Sequence, residues 1–131
     1  MAGGRRETWV IYGCHQTRYV DKGSIYMYHV RITAVRQTVY TELSLIYENP
    51  IEHTCDVKIG DTFLSVNGER PADLCESAWD SMRVFVEELA RGGGNFFDGW
   101  MKNPKSAMIS CNDGFRPVSF YIETVEGERG V

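Results

Sequence analysis

No apolar run in this chain approaches the roughly 18 residues that a membrane-crossing helix needs. No apolar h-region follows the first residues either, so no secretory signal is read. Positive charge is scarce: 14 Lys and Arg stand against 18 Asp and Glu, for a net charge of -4 and a pI near 5.3. A nucleic-acid binder needs a basic face for phosphate contacts, and that balance argues against one. The chain has no Cys-x-x-Cys knuckle, and Cys14, Cys55, Cys75 and Cys111 are irregularly spaced. Without an export signal they read as reduced thiols rather than a disulfide framework, and the expected location is cytoplasmic. No Gly-Lys-Ser/Thr follows Gly92-Gly93-Gly94, so this run is not a phosphate loop. No internal repeat and no linker interrupt the 131 residues, of which 43% are hydrophobic and 24% charged, the balance of one ordinary globular domain.

The most informative stretch is Ser106 to Val125. Ala107, Ile109 and Cys111 alternate with Met108 and Ser110; Val118, Phe120 and Ile122 alternate with Ser119, Tyr121 and Glu123. Both are strand period, and Asn112-Asp113-Gly114 between them tolerate the positive φ of a tight reversal. The reading is a β-hairpin with an inward Cys111 at the end of its first strand and Asp113 and Arg116 at its tip.

Upstream, residues 1–26 read as an N-terminal extension: an untethered start or cloning remnant, or an edge hairpin with strands over Thr8 to Tyr12 and Tyr19 to Met27 and a turn at Asp21-Lys22-Gly23. The domain proper is expected over 27–131. Tyr28 to Arg36 alternates as a strand, with Tyr28, Val30, Ile32 and Ala34 on one side. Val39, Leu43, Ile46 and Tyr47 then recur at helical spacing, a short helix over about 41–48 that Thr41 could cap and Asn49-Pro50 ends. A loop with His53 and Cys55 leads to a strand over Thr62 to Val66. The clearest helix spans about 74–91, with Ala78, Trp79, Met82, Phe85, Val86 and Leu89 on one face and Asp80, Arg83, Glu87 and Arg91 mostly away from it. Asp73-Leu-Cys-Glu76 has the shape of a capping box. Gly92-Gly93-Gly94 ends the helix by supplying a left-handed residue. An aromatic loop, Asn95 to Lys105, carries Phe96, Phe97 and Trp100, and the polar tail after Val125 reads as frayed. The expected fold is α+β: one compact domain with a mostly antiparallel sheet of about four to five strands packed on the 74–91 helix.

The candidate chemistry collects on the cysteines. The capping box puts Cys75 in the first helical turn, where unpaired amides and the helix dipole lower a thiol's pKa. It is a candidate catalytic nucleophile with Asp113 beside it, or else a small buried apolar residue. Arg116 could hold an anionic ligand by its planar fork. Trp79, Trp100, Cys111 and Cys55 are candidate walls of an apolar ligand pocket, and each is also readable as core or loop packing. His53, Cys55, Cys75 and Cys111 also form a legitimate zinc donor set.

Two resemblances add to this. Gly60-Asp-Thr-Phe-Leu-Ser-Val-Asn-Gly68 resembles a turn of peptide-binding PDZ domains, but the carboxylate-binding glycine loop of that family is missing near the start. Cys75-Glu-Ser-Ala-Trp79, the Gly-Gly-Gly-Asn-Phe run and Cys111-Asn-Asp-Gly-Phe-Arg-Pro-Val118 together resemble a family of small, mostly prokaryotic proteins without an assigned activity. Its pattern also has a strand like Tyr28-His-Val-Arg-Ile32 and a Cys before a Gly-x-x-Phe strand, here Cys55 and Gly60 to Phe63. The resemblance covers about residues 27–125 and implies that Cys55, Cys75 and Cys111 belong to one feature. Many members carry a second Cys where Ser110 stands here, so a vicinal thiol pair is not expected. Two functions remain open at this point. One is a small-molecule enzyme or ligand binder with a cysteine-containing pocket at the helix N-terminus and hairpin tip. The other is a non-catalytic module that is zinc-stabilised or binds a protein. Neither reading names a reaction, substrate or cofactor, and a homo-oligomer is compatible with both.

Overall fold

The computed structural model describes residues 7–12, 15–21, 28–51 and 56–125. Its centre is a four-stranded antiparallel sheet in the order β4-β3-β6-β5, made of β3 (His29–Gln37), β4 (Thr62–Ser65), β5 (Ser106–Ser110) and β6 (Val118–Val125). Two helices join it: α1 (Thr41–Tyr47) and α2 (Glu76–Ala90). This is the expected α+β architecture, with four strands in the main sheet.

Alternation decides which side of the sheet meets the helix. Val30, Ile32 and Ala34 of β3, Val118, Phe120 and Ile122 of β6, and Ala107 of β5 are all buried. The register brings Ile32 beside Ile122, and Ile122 beside Ala107, so these residues form one apolar face. Ala78, Trp79, Met82, Val86 and Leu89 of α2 bury against that face, and Phe85 meets Phe96 edge-to-face at 5.0 Å. Register slips between Ala34 and Arg36, where a bulge bends β3 just before it leaves the sheet. The opposite face is mixed: Arg31 donates twice to Glu123 across β3 and β6, and Leu64 and Met108 are exposed on it.

The C-terminal end of α2 follows its glycines. Gly92 takes φ +96°, its N–H donates to Leu89 O at 3.0 Å, and Gly93 N–H donates to Glu88 O at 2.9 Å. Those two bonds are a Schellman motif closed by a left-handed glycine. The glycine segment folds back over Glu88, which is fully buried, and Glu87 is buried as well. Glu87 therefore does not lie away from the core; it pairs with Arg83 at 3.8 Å along the helix.

Other expectations shift. The capping box does not form: the N-cap of α2 is Cys75, with no side-chain cap bond, because the backbone turns through Pro71 to Leu74 before the helix starts. Thr41 is the first helical residue of α1 and Tyr40 its N-cap, also without a side-chain bond. The hairpin tip is not a tight turn: none of Asn112, Asp113 and Gly114 has positive φ, and seven residues separate β5 from β6. Near the N-terminus, β1 (Glu7–Tyr12) and β2 (His15–Asp21) pair as a separate two-stranded sheet, with Tyr12 opposite His15. Residues 13 and 14, between the paired strands, and residues 22 and 23 of the expected turn lie outside the described residues. Most of the expected 19–27 strand lies outside the described residues.

Candidate functional site

One end of the sheet gathers most of the residues singled out above. There β3 ends, β4 begins, β5 ends, β6 begins and α2 starts. The chain leaving β3 is held to the 111–117 loop by Thr38 N–H to Pro117 O at 3.1 Å and Tyr40 N–H to Phe115 O at 2.7 Å. The turn before β4 closes on the same end through Gly60 N–H to Ala34 O at 2.7 Å.

The loop is built around Asp113. Its Oδ1 accepts the Phe115 N–H at 2.8 Å and the Arg116 N–H at 3.2 Å, an Asx turn that replaces the tight reversal. Its Oδ2 accepts Arg116 Nη1 at 3.0 Å. Arg116 Nη2 donates to Glu48 Oε1, which also accepts the Ser44 hydroxyl at 2.7 Å. The guanidinium is mostly buried between two carboxylates.

This geometry sets the charges. The bond from Arg116, then that from Ser44, holds the Glu48 carboxyl below its ordinary value. Burial works to raise Asp113, but the Phe115 and Arg116 amides and the Arg116 charge outweigh it, and the net shift is downward. The bond to Glu48 raises Arg116 further. Both carboxylates stay ionised at neutral pH, so Asp113 is a weak proton acceptor there. Arg116 faces two anions within the protein, leaving its fork engaged rather than open to a ligand.

The thiols sit beside this cluster. Cys75 and Cys111 are both free and half-buried, and both pack against the rim of the core. Cys111 Sγ accepts the Val118 N–H at 3.4 Å. The loop reaches the first turn of α2: Asn112 N–H donates to Ser77 Oγ at 3.3 Å and Asn112 Nδ2 to Ser77 O at 3.2 Å. Trp79 is buried in the core, one turn in from Cys75. Trp100 belongs instead to the loop leaving the other end of α2, where it makes an edge-to-face pair with Phe97 at 5.0 Å. His53 and Cys55 lie outside the described residues, as does Cys14. Among the described residues no three or more His, Cys, Asp or Glu side chains group as a metal site. At the far end of the sheet, Tyr28, Gly92, Asn103, Lys105 and Thr124 line a hollow of about 360 Å³, whose Lys105 Nζ donates to the Gly92 and Gly93 carbonyls.

Glu48 was not visible as a site residue, yet one signal points to it. An acidic residue at the C-terminal end of a helix opposes the helix dipole, so it needs a cation elsewhere. With Ser44 it makes the inner face of α1. Leu45, Ile46 and Tyr47 point outward, 81%, 67% and 74% exposed, and no residue of this helix is buried.

Comparison with protein-family models, with curated proteins and with solved structures finds no match.

Proposed function

We propose that this protein is a non-catalytic interaction module whose working surface is α1 with its flanking residues. The observation that carries this reading is the reversed polarity of α1. A surface helix normally buries its apolar stripe and turns its polar side to water. Here Ser44 and Glu48 face the protein, and the apolar stripe faces out. Fully burying a Leu or Ile side chain is worth about 1.5–3 kcal/mol, and this fold leaves that gain unused. The Glu48–Arg116–Asp113 chain holds the helix in this orientation. An ion-paired clamp that presents apolar side chains suits a docking surface better than a reaction centre.

The test separates surface from core. Leu45→Gln keeps helix propensity and removes apolar area. Urea unfolding in submicromolar protein should put it within about 0.5 kcal/mol of wild type. Met82→Ala, in the core, should lose about 2–5 kcal/mol. A Leu45→Gln loss as large as that of Met82→Ala removes the proposal.

A second reading, thiol chemistry at Cys75, has its own support: the N-cap side chain makes no cap bond and is only partly buried. Under limiting iodoacetamide, mass spectrometry should find Cys75 modified ahead of Cys111. Protection of Cys75 while another cysteine reacts rules that chemistry out. Metal analysis of the same sample tests the zinc alternative, whose His53 and Cys55 donors join Cys75 and Cys111.

A further inference from the structure

The geometry points to a second copy of this chain as the occupant of the α1 surface, in a twofold dimer; this rests on the interaction reading above. Three observations favour it. The first is area. The exposed parts of Val39, Leu43, Leu45, Ile46, Tyr47 and Ile51 make up nearly four whole side chains. That is on the order of 700 Å², and each partner in a standard stable interface contributes about 600–1,000 Å². A patch of that size also exceeds the roughly 300–600 Å² typical of a monomer's largest.

The second is charge. Two copies of a chain with net charge -4 repel over most of their surfaces. On the outward side of α1 the one carboxylate is Glu42, because Glu48 is turned inward onto Arg116. Two copies can meet here with few like charges facing.

The third is shape. The patch comes from one continuous segment, so a twofold axis across α1 lays the helix on its symmetry mate and matches apolar to apolar. Ile59, exposed on the turn that Gly60 ties to Ala34, extends the apolar surface at the same end of the sheet.

Sedimentation velocity of the full chain from 1 to 200 µM tests this. Wild type should shift from monomer to dimer across that range. Leu45→Asp should weaken association by at least about thirtyfold, since a buried anchor is lost from both copies. Trp100→Ser alters the exposed Phe97–Trp100 pair at the other end of α2 and should leave association unchanged. A wild type that stays monomeric at 200 µM overturns the proposal, whatever the variants do. So does a dimer broken by Trp100→Ser and not by Leu45→Asp. A monomer that instead sediments with phosphatidylcholine vesicles, or takes up an amphipathic helical peptide, gives the surface another occupant and overturns it too. Failure here is distinct from failure of the interaction reading, which falls only when Leu45→Gln destabilises the monomer like a core substitution.

Discussion

Gly93→Ala should be among the most damaging single-methyl additions in this protein, and Gly114→Ala among the most harmless. A Cβ on Gly93 would sit 1.8 Å from Glu88 Oε2, 2.5 Å from its Cδ and 2.7 Å from its Cγ. Relief requires the whole Glu88 side chain to move, and it is fully buried. Overpacking of this kind costs about 1–3 kcal/mol. If the carboxylate also leaves Arg91, now 3.8 Å away, loss of a buried pair adds to that. We expect about 3 kcal/mol, which in a chain of this size lowers Tm by roughly 10 °C. A Cβ on Gly114 meets nothing within 4 Å, and its φ lies outside the left-handed region. Gly114→Ala should be neutral or gain about 0.4–1 kcal/mol through lower unfolded-state entropy. Urea unfolding at pH 7 with a common m-value reads both. A cycle with Glu88→Ala sharpens the test: removing the side chain that the new methyl strikes should make the double variant more stable than additivity by more than 1 kcal/mol. Equal stabilities for the two glycine variants, or an additive cycle, refute the steric account.

Much of the fold was legible because its signals are local. Strict alternation in 28–36 and 118–125 set the buried face of the sheet, and the 3.6-residue stripe of α2 supplied its cover. The glycine run announced the end of α2 because no other residue takes a positive φ at so little cost. Cap positions were less legible. Asp73-Leu-Cys-Glu76 fits a capping box as a string, but caps depend on where the backbone enters the helix, and the turn through Leu74 delays that entry to Cys75. Asn112-Asp113-Gly114 suggested a tight reversal, while Asp113 prefers to bond two amides of its own loop.

The site was harder to read for a general reason. Periodicity tells which residues of α1 share a face; it does not tell whether that face is covered. Val39, Leu43, Ile46 and Tyr47 do recur at helical spacing, yet they point to water. What reverses the helix is Glu48 reaching an arginine 68 residues later in the chain. No window of local sequence contains both partners. Cys75, Cys111, Asp113 and Arg116 do lie at one end of the sheet, so their grouping was foreseeable from the hairpin and the helix. The fork of Arg116 is answered from within, by Asp113 of its own motif and by Glu48, which no motif includes.

Two further predictions concern charge. Lys105→Met should lower stability by about 1 kcal/mol, because the ammonium donates to the Gly92 and Gly93 carbonyls at the C-terminal end of α2, where a cation is favoured; an unchanged urea midpoint means that bond contributes nothing. Glu48→Gln should show a pH-dependent loss. Glu48 and Asp113 both have folded pKa values below their unfolded ones. A depressed carboxylate contributes stability that is complete above the unfolded pKa, near pH 4–5, and is lost as pH falls through the folded value. Arg116, whose folded pKa is raised, stays charged throughout this range and adds no slope. The gap in urea midpoint between wild type and Glu48→Gln should therefore be constant from pH 7 to about 5 and shrink steadily below pH 4. Gln retains the shape and can still accept a bond from Ser44 or Arg116, so what the gap tracks is the charge alone. A gap independent of pH down to 3 would mean that Glu48 acts only as a neutral acceptor. A gap that widens in acid would place its folded pKa above the unfolded one, and the clamp that turns α1 outward would then have to be explained without an ion pair.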